Sequence, residues 1–496
     1  IGLIDKPLEQ RRDPFVVDLS AGAGHAVVVG GPRSGKSTAI RTVVSALALT
    51  HTPREVQFYC LDFGGGSLAA LREFPHVGGV AARLDAGAVR RTVAEVHQVL
   101  AARERHFADN GVESMASYRE RRAAGEFADD PWGDVFLVVD GWPVLRSDFE
   151  ELETTIAEIA GRGLAYGVHV IASCSRWFDL RGTIRDLFGT RVELRLGDPS
   201  DSIVDRRAAM SVPTDSPGRG LADKAHHFVV ATPDADLGPQ LTTAWPVSGA
   251  PRVRLLPLQL SAEQLGVVVS RHQGPATGLP IGLSERDLGP AYVDLDADPH
   301  FLLFGDTETG KTGFLRWIAR SIVERRRPDE ARIILVDYRR SLTIDAEHVM
   351  GTFTDPRGVE AMVADLVPVL DRRLSGEWTG PQIHVLVDDY DLVAGTTANP
   401  LSGLVDYLAQ GRDIGLHLVV ARRSGGAGRA IFEPLIARLR DLGTPGLLMS
   451  GDKSEGPLLG TTKPQSLPPG RGVHVDRRGN PDLIHLVNCP ATEETV

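Results

Sequence analysis

The 496-residue sequence is written twice, and that repeat limits the possible folds more than any other feature. GGPRSGKS at 30–37 and GDTETGKT at 305–312 both match GxxxxGK[ST]. Each follows a short apolar run, HAVVV or FLLF, and leads into a stretch of helical period. Other landmarks recur in the same order. Ile1-Gly2-Leu3 returns as Ile281-Gly282-Leu283, and PFVVDL at 14–19 returns loosely as AYVDL at 291–295. VFLVVD (135–140) pairs with HVLVDD (384–389), and GVHVIAS (167–173) with GLHLVVA (415–421). LGDPSD (196–201) and PGRGL (217–221) pair with SGDKSE (450–455) and PGRGV (469–473). Lys36 and Lys311 are 275 positions apart, whereas Asp140 and Asp388, like His169 and His417, are 248 apart. The chain is therefore read as two copies of one domain, each with its own core.

Within each copy, Val/Ile/Leu-rich runs such as VQFYCLD (56–62) and RIILVD (332–337) alternate with longer helical stretches such as 88–107. Uninterrupted apolar strands are buried on both faces, which predicts an α/β fold. The expected architecture is two tandem P-loop NTPase domains, each a mostly parallel sheet flanked by helices. Ligands are expected at the carboxyl ends of the strands. The expected boundaries are 1–247 for the first domain and 281–496 for the second. Residues 248–280, with several prolines and the polar SRHQGPATG, are expected as a partly packed linker.

Composition excludes several classes. No run approaches eighteen apolar residues, so no membrane span is expected. Cys60, Cys174 and Cys489 lie far apart without a CxxC partner, which argues against zinc and against a disulfide framework. A net charge of −11 is a poor footprint for nucleic-acid binding, so no nucleic-acid partner is expected.

The loops carry the chemistry. Gly30, Gly31, Pro32, Arg33, Ser34 and Gly35 in the first copy, and Gly305, Asp306, Thr307, Glu308, Thr309 and Gly310 in the second, would turn backbone N–H groups onto the phosphates of ATP at a helix N-terminus. Lys36 and Lys311 would reach the β and γ oxygens, and Thr38 and Gly313 complete the first helical turn. Ser37 and Thr312 offer hydroxyls to Mg2+, with Asp140 and Asp388 beside the ion or linked to it through water. Hydrolysis is a separate matter. An acid that orders the attacking water normally follows the strand aspartate, but the first copy has Gly141 and the second has Asp389. Aspartate is one methylene shorter than glutamate, and a misplacement of about 1 Å costs on the order of a hundredfold. Slow or absent turnover is expected, with Asp140, Asp388 and Asp389 as the catalytic candidates. Asp306 and Glu308 add negative charge that opposes a triphosphate unless both point to solvent, so weaker binding is expected in the second copy.

Arg176 and Arg422 or Arg423 follow the GVHV and GLHL strands, where a side chain can face a nucleotide, and Arg162 and Arg412 precede them, where an arginine finger could act across an interface; taken singly, each is expected as a surface arginine near a helix terminus. His169 and His417 are expected as hydrogen-bonded core residues.

Taken together, the loops, DFGGG (62–66), the aspartate strands, GVHVIASCSRW (167–177) and the RLGDPSD and PGRG segments resemble the FtsK/SpoIIIE branch of P-loop ATPases. VQFYCLDFGGGSL, FPHVGGVA and DVFLVVDGWP are similar to the EccC ATPases of type VII (ESX) secretion systems, specifically to their second and third ATPase domains. The resemblance implies a cytoplasmic module held at the inner membrane through the secretion complex. It also implies WXG100-type export substrates recognised through a C-terminal signal, other ESX components including a membrane-anchored ATPase part as partners, and an oligomer in the assembled machine. Because the sequence starts at Ile1, that anchored part is expected on another chain or outside this sequence. DFGGG lacks the lysine of the active-domain DFKGG pattern, and the second copy has Asp337-Tyr338-Arg339-Arg340 there, in line with weak hydrolysis. The competing readings are a DNA translocase of the same branch and a non-catalytic scaffold that holds ATP for stability. An ABC-type ATPase is disfavoured because no LSGGQ-like segment lies between loop and aspartate.

Overall fold

The computed structural model describes residues 1–376, 378, 380–395 and 399–490. They divide into two compact units, 1–255 and 256–496.

In the first unit, six strands run parallel in the order Thr190–Leu194, Ala26–Val29, Val168–Cys174, Asp134–Asp140, Val56–Asp62 and Val77–Ala82. Beyond Thr190–Leu194 the sheet continues antiparallel through Arg219–Leu221, His227–Val230, Gly2–Lys6 and Arg11–Phe15. The second unit repeats this plan: Gly446–Leu448, His300–Phe304, Leu416–Arg422, Gln382–Val387, Ala331–Val336 and Val349–Phe353 are parallel. Its antiparallel edge is Arg471–Val475, Pro481–Leu486, Leu279–Ser284 and Pro290–Val293. The recurring Ile-Gly-Leu motifs thus belong to equivalent strands, each next to the last in its antiparallel extension.

Period-two alternation explains why the central strands read as unbroken apolar runs. Val27, Val29, Tyr59 and Leu61 enter one core cluster, while Ala26, Val28, Phe58 and Cys60 enter the cluster on the opposite face. In the second unit Leu302 and Phe304 divide from Phe301 and Leu303 in the same way. The strand leading into each glycine loop is separated from the aspartate strand by one inserted strand, Val168–Cys174 or Leu416–Arg422. The parallel direction brings all their carboxyl ends to one edge, where the loops stand.

The two spacings in the sequence have a local cause. The first unit has a 25-residue helix, Ala86–Asn110, and a second helix, Met115–Ala123, whose Met115 and Tyr118 pack with Phe107 and Val112. Among the described residues the second unit has one helix in that place, the 19-residue Pro356–Leu374.

Residues 248–280, expected as a linker, divide between the units after Leu255, and each part packs within its own unit. Ala250 and Val253 donate backbone N–H bonds to Pro75 O (2.7 Å) and Gly78 O (3.1 Å), and Arg91 Nε donates to Arg254 O at 2.8 Å. This segment covers the outer edge of strand Val77–Ala82. From Leu256 onward, Leu256, Leu260 and Leu265 cluster with Leu283 and Val487 of the second unit. The equivalent outer strand of that unit, Val349–Phe353, ends its sheet, and no described residue hydrogen-bonds along its outer edge; Met350 there is 61% exposed. Among the described residues, no helix is long and apolar enough to cross a membrane. All three cysteines are buried and unpaired.

Candidate nucleotide-binding sites

The two loops adopt one backbone. The fourth and sixth positions are left-handed in both: Arg33 (φ 55°) and Gly35 (φ 98°), Glu308 (φ 63°) and Gly310 (φ 109°). Such a reversal aims successive N–H groups into one concavity at the start of helix Lys36–Thr50 or Lys311–Arg325. At Gly35 a side chain is excluded twice, because φ is positive and an added Cβ would lie 2.8 Å from Gly218 N. Gly218 belongs to the PGRG segment and donates to Ser34 O at 2.8 Å; Gly470 of the second PGRG donates to Thr309 O at 3.4 Å. That repeated motif therefore braces the back of each loop. Lys36 Nζ donates to Gly30 O (2.7 Å) and Gly31 O (2.9 Å), and Lys311 Nζ to Asp306 O (2.9 Å). Both ammonium groups thus stand at the mouth of their loops. Ser37, Thr38, Thr312 and Gly313 are half-buried on the first helical turns, whereas Pro32, Thr307 and Glu308 are exposed. Asp306 is half-buried.

The strand aspartates are buried but bonded differently. Thr312 Oγ1 donates to Asp388 Oδ2 at 2.6 Å, joining loop and strand directly. In the first unit Asp140 accepts instead from Ser173 Oγ (2.6 Å) and Ser67 Oγ (3.0 Å). Strand register explains this. Ser173 lies beside Asp140, whereas one position beyond the Val387–Val420 pair the second unit offers only Ala421. With no neighbouring hydroxyl, Asp388 is left to Thr312. Asp389 is held by an ion pair with Arg339.

Charge separates the two sites further. Burial lowers the Lys36 pKa, opposed by Asp140, while nearby Arg195 lowers it again. Arg195 also donates to Pro32 O at 3.1 Å, so the first loop has a second cation beside it. Burial lowers Lys311 as well, but there Asp389, Asp388 and Asp391 act against it in that order. Burial also raises the Asp388 carboxyl, with Thr312 opposing. The second loop is thus the more acidic.

Of the arginines, Arg423 is exposed and close enough to act on Lys311, while Arg422 is buried and donates to Arg423 O at 3.1 Å. Arg176 is exposed just past its strand. Arg162 pairs with Glu104 at 2.7 Å and, like Arg412, lies at the amino end of the inserted strand, opposite its own loop. His169 is a hydrogen-bonded core residue, with Nδ1 2.9 Å from Gly24 O and Nε2 3.3 Å from Asp134. His417 is likewise a buried core residue, and it stacks on His384 at 4.4 Å where His169 stacks on Phe136. The residue matching Asp134 is Gln382, whose amide is committed to Asp296.

The residue after each aspartate is left-handed, Gly141 at φ 107° and Asp389 at φ 44°. Gly141→Glu is therefore expected to lose about 1–3 kcal/mol in a denaturant melt and to leave single-turnover hydrolysis no faster. An added Cβ would stand 3.1 Å from Phe63 Cβ, so the longer acid is not simply restored. Faster turnover with unchanged stability would show that the backbone relaxes there.

The model of the FtsK/SpoIIIE family matches residues 1–238 and 278–376. The chain belongs to the FtsK/SpoIIIE family. It is 50% identical to the ESX secretion system protein EccC of Thermomonospora curvata over 98% of this chain and 39% of that protein. It is 45% identical to the ESX-4 secretion system protein EccC4 of Mycobacterium tuberculosis over 99% of this chain and 40% of that one. The chain thus spans about two-fifths of the length of these FtsK/SpoIIIE relatives. A solved structure of ATPases 2 and 3 of the T. curvata EccC in complex with a signal sequence peptide matches with TM-score 0.91 and 49% identity, over 98% of this chain and 92% of that one.

The side chains that local patterns did not single out are Ser67, Ser173, Arg195 and, as a partner of Asp389, Arg339. Each acts across strands or loops that only the sheet order brings together.

Proposed function

We propose that this chain is an ATP- and Mg2+-binding module of a type VII (ESX) secretion machine that recognises WXG100-type export substrates and hydrolyses ATP weakly. One observation carries the reading: both loops keep the full phosphate-binding backbone, while neither aspartate is followed by a glutamate free to order water. The residues fit the nucleotide. The N–H groups of 30–35 and 305–310 with Lys36 and Lys311 would hold the phosphates. Ser37 with Asp140, and Thr312 with Asp388, present the hard oxygen donors that Mg2+ takes. When bound, Mg2+ would neutralise phosphate charge; the chain's own residues position the phosphates and keep Asp389 paired. The EccC relationship supports a position at the cytoplasmic face of the inner membrane, within an oligomer that includes a membrane-anchored ATPase part. The net charge of −11 favours this reading over a DNA translocase.

For substrate recognition, the uncovered edge of Val349–Phe353 supports a docking place in the second unit. Its counterpart in the first unit is occupied by 250–254, an extended segment bonded to a strand edge. A signal peptide would add to the second edge in the same manner, with main-chain bonds supplying affinity and Met350 a side-chain contact. Met350→Arg is expected to weaken binding of a C-terminal WXG100 signal peptide about tenfold, equal to ~1.4 kcal/mol, in fluorescence anisotropy. Nucleotide content should not change. Unchanged peptide affinity would place the docking site elsewhere.

A further inference from the structure

We propose that Arg339 is the residue that makes the second site a holding site: by pairing with Asp389 it cancels that carboxylate's charge beside the phosphates and keeps it from ordering a water molecule.

The loop before Arg339 is fixed by Asp337, which caps it by accepting from Arg339 N (2.9 Å) and Leu342 N (2.6 Å). The Arg339 guanidinium then reaches across to the Asp389 carboxylate. Asp389 is itself fixed, because its left-handed backbone (φ 44°) lets its N–H donate to Asp388 Oδ1 at 3.0 Å. Its side chain is 15% exposed, against 54% for Arg339, so the arginine covers the carboxylate from the solvent side. Asp389 is also the foremost carboxylate acting on the Lys311 ammonium, which places its charge at the mouth of the loop.

The first unit supplies an internal control. There the positions matching Arg339 and Asp389 are Gly64 and Gly141, so both members of the pair are absent together. An added Cβ at Gly64 would lie 2.5 Å from Asp140 Oδ2, so in the first unit this loop position faces the strand aspartate, as Arg339 faces the residue after it in the second. A pair that occurs whole or not at all is what charge cancellation requires. An unpaired carboxylate beside a triphosphate repels it, and an unpaired arginine would draw the phosphates out of register.

The reaction being held back is ordinary hydrolysis. The oxygen of water bonds to the γ-phosphorus, and the bond from that phosphorus to the β–γ bridging oxygen breaks with its electron pair staying on ADP. The proton of water leaves with the released phosphate. Asp389 would contribute only a hydrogen bond that aims the water, so Arg339 acts as a positioning residue through it.

The test rests on the second loop's being a nucleotide site, and its design separates the two claims. In a full-length Lys36→Ala chain, where only the second loop remains, equilibrium binding of radiolabelled ATP with Mg2+ is measured first. Absence of binding there overturns the reading of the second loop and the inference with it. Given binding, Arg339→Gln is expected to raise Kd about tenfold, and adding Asp389→Asn to restore it to within about twofold, because the uncancelled charge is gone. Single-turnover hydrolysis is expected to rise at least about tenfold in Arg339→Gln and to fall back in the double variant. A loss of affinity that Asp389→Asn does not rescue would mean that Arg339 contacts the phosphates itself. Retained binding with no rise in turnover would mean that Asp389 cannot order water even when released. Either result overturns the proposal. Arg339 is exposed at a loop, so equal thermal midpoints are expected, and Arg339→Lys, which keeps the charge without the planar fork, should fall between parent and glutamine.

Discussion

Lys36→Ala and Lys311→Ala are each expected to remove one nucleotide equivalent per chain, with affinity at the altered loop falling at least about a hundredfold, or ~2.7 kcal/mol. Each ammonium stands at the mouth of its loop and already meets loop carbonyls at 2.7–2.9 Å, so it is held where phosphate oxygens would replace those acceptors. Its pKa is lowered by burial, yet strand carboxylates oppose that shift and favour the charged form. Removing it leaves the N–H concavity intact but takes away its only full positive charge within the loop's last turn. The two variants should not be equal. Arg195 remains hydrogen-bonded to the first loop, whereas beside the second Arg423 is exposed and Asp388 and Asp391 stay, so Lys311→Ala should empty its site more completely. Nucleotide released by acid from purified protein and quantified by chromatography, together with titration by a fluorescent ATP analogue, reads both effects. Unchanged stoichiometry in either variant would mean that the corresponding loop does not hold ATP.

Acidification is expected to destabilise both units, because each depends on a neutral histidine at the foot of its loop strand. His25 Nε2 donates to Ala160 O at 2.8 Å, and its Nδ1 accepts from Val170 N at 2.9 Å. His300 makes the same bridge, to Leu408 O at 2.9 Å and from Leu418 N at 3.1 Å. A ring that must accept on one nitrogen cannot carry a proton on both. Burial, the largest cause, lowers both to about 4 from an ordinary 6.5, against the opposing backbone bond. The unfolded chain therefore takes up these protons below pH 6.5, while the folded chain resists until about pH 4. Stability from each histidine is fully present above pH 6.5 and is lost as pH falls toward 4, by ~3 kcal/mol for each unit. That is a large part of the 5–15 kcal/mol typical of a domain. Urea melts at constant ionic strength from pH 7.5 to 4.5 measure it. His25→Asn should be less stable than the parent at pH 7.5 and should lose less on acidification. Parallel pH profiles for variant and parent would show that the bridge stays intact when protonated, or is not made.

What could be read without the structure was whatever chemistry is written in neighbouring residues. GxxxxGK[ST] specifies its own backbone through local φ preferences, and a strand ending in aspartate announces itself by a run of apolar residues. The duplication was legible because both copies keep these local patterns in the same order. The α/β class followed because strands buried on both faces cannot alternate polar with apolar residues.

Partnerships across the sheet were a different matter. GVHVIAS contains Ser173 in plain view, but nothing local says that it stands beside Asp140, since that depends on one strand being inserted between loop and aspartate. His417 matches His169 as a buried core residue, yet its neighbours differ, because Gln382 replaces Asp134 and His384 replaces Phe136 on the adjacent strand. The four antiparallel strands that widen each sheet are assembled from both ends of a domain, Gly2–Phe15 with Arg219–Val230 in the first. Residues 250–254, expected within a linker, lie on a strand edge because an unpaired edge offers them main-chain partners. The sequence by itself determined the two loops, their duplication and the absence of a glutamate after each aspartate, since these reside in contiguous residues. Which hydroxyl meets which aspartate, which acid an arginine holds and which sheet edge stays open were decided only by tertiary structure, because strand order sets those distances between residues far apart in the chain.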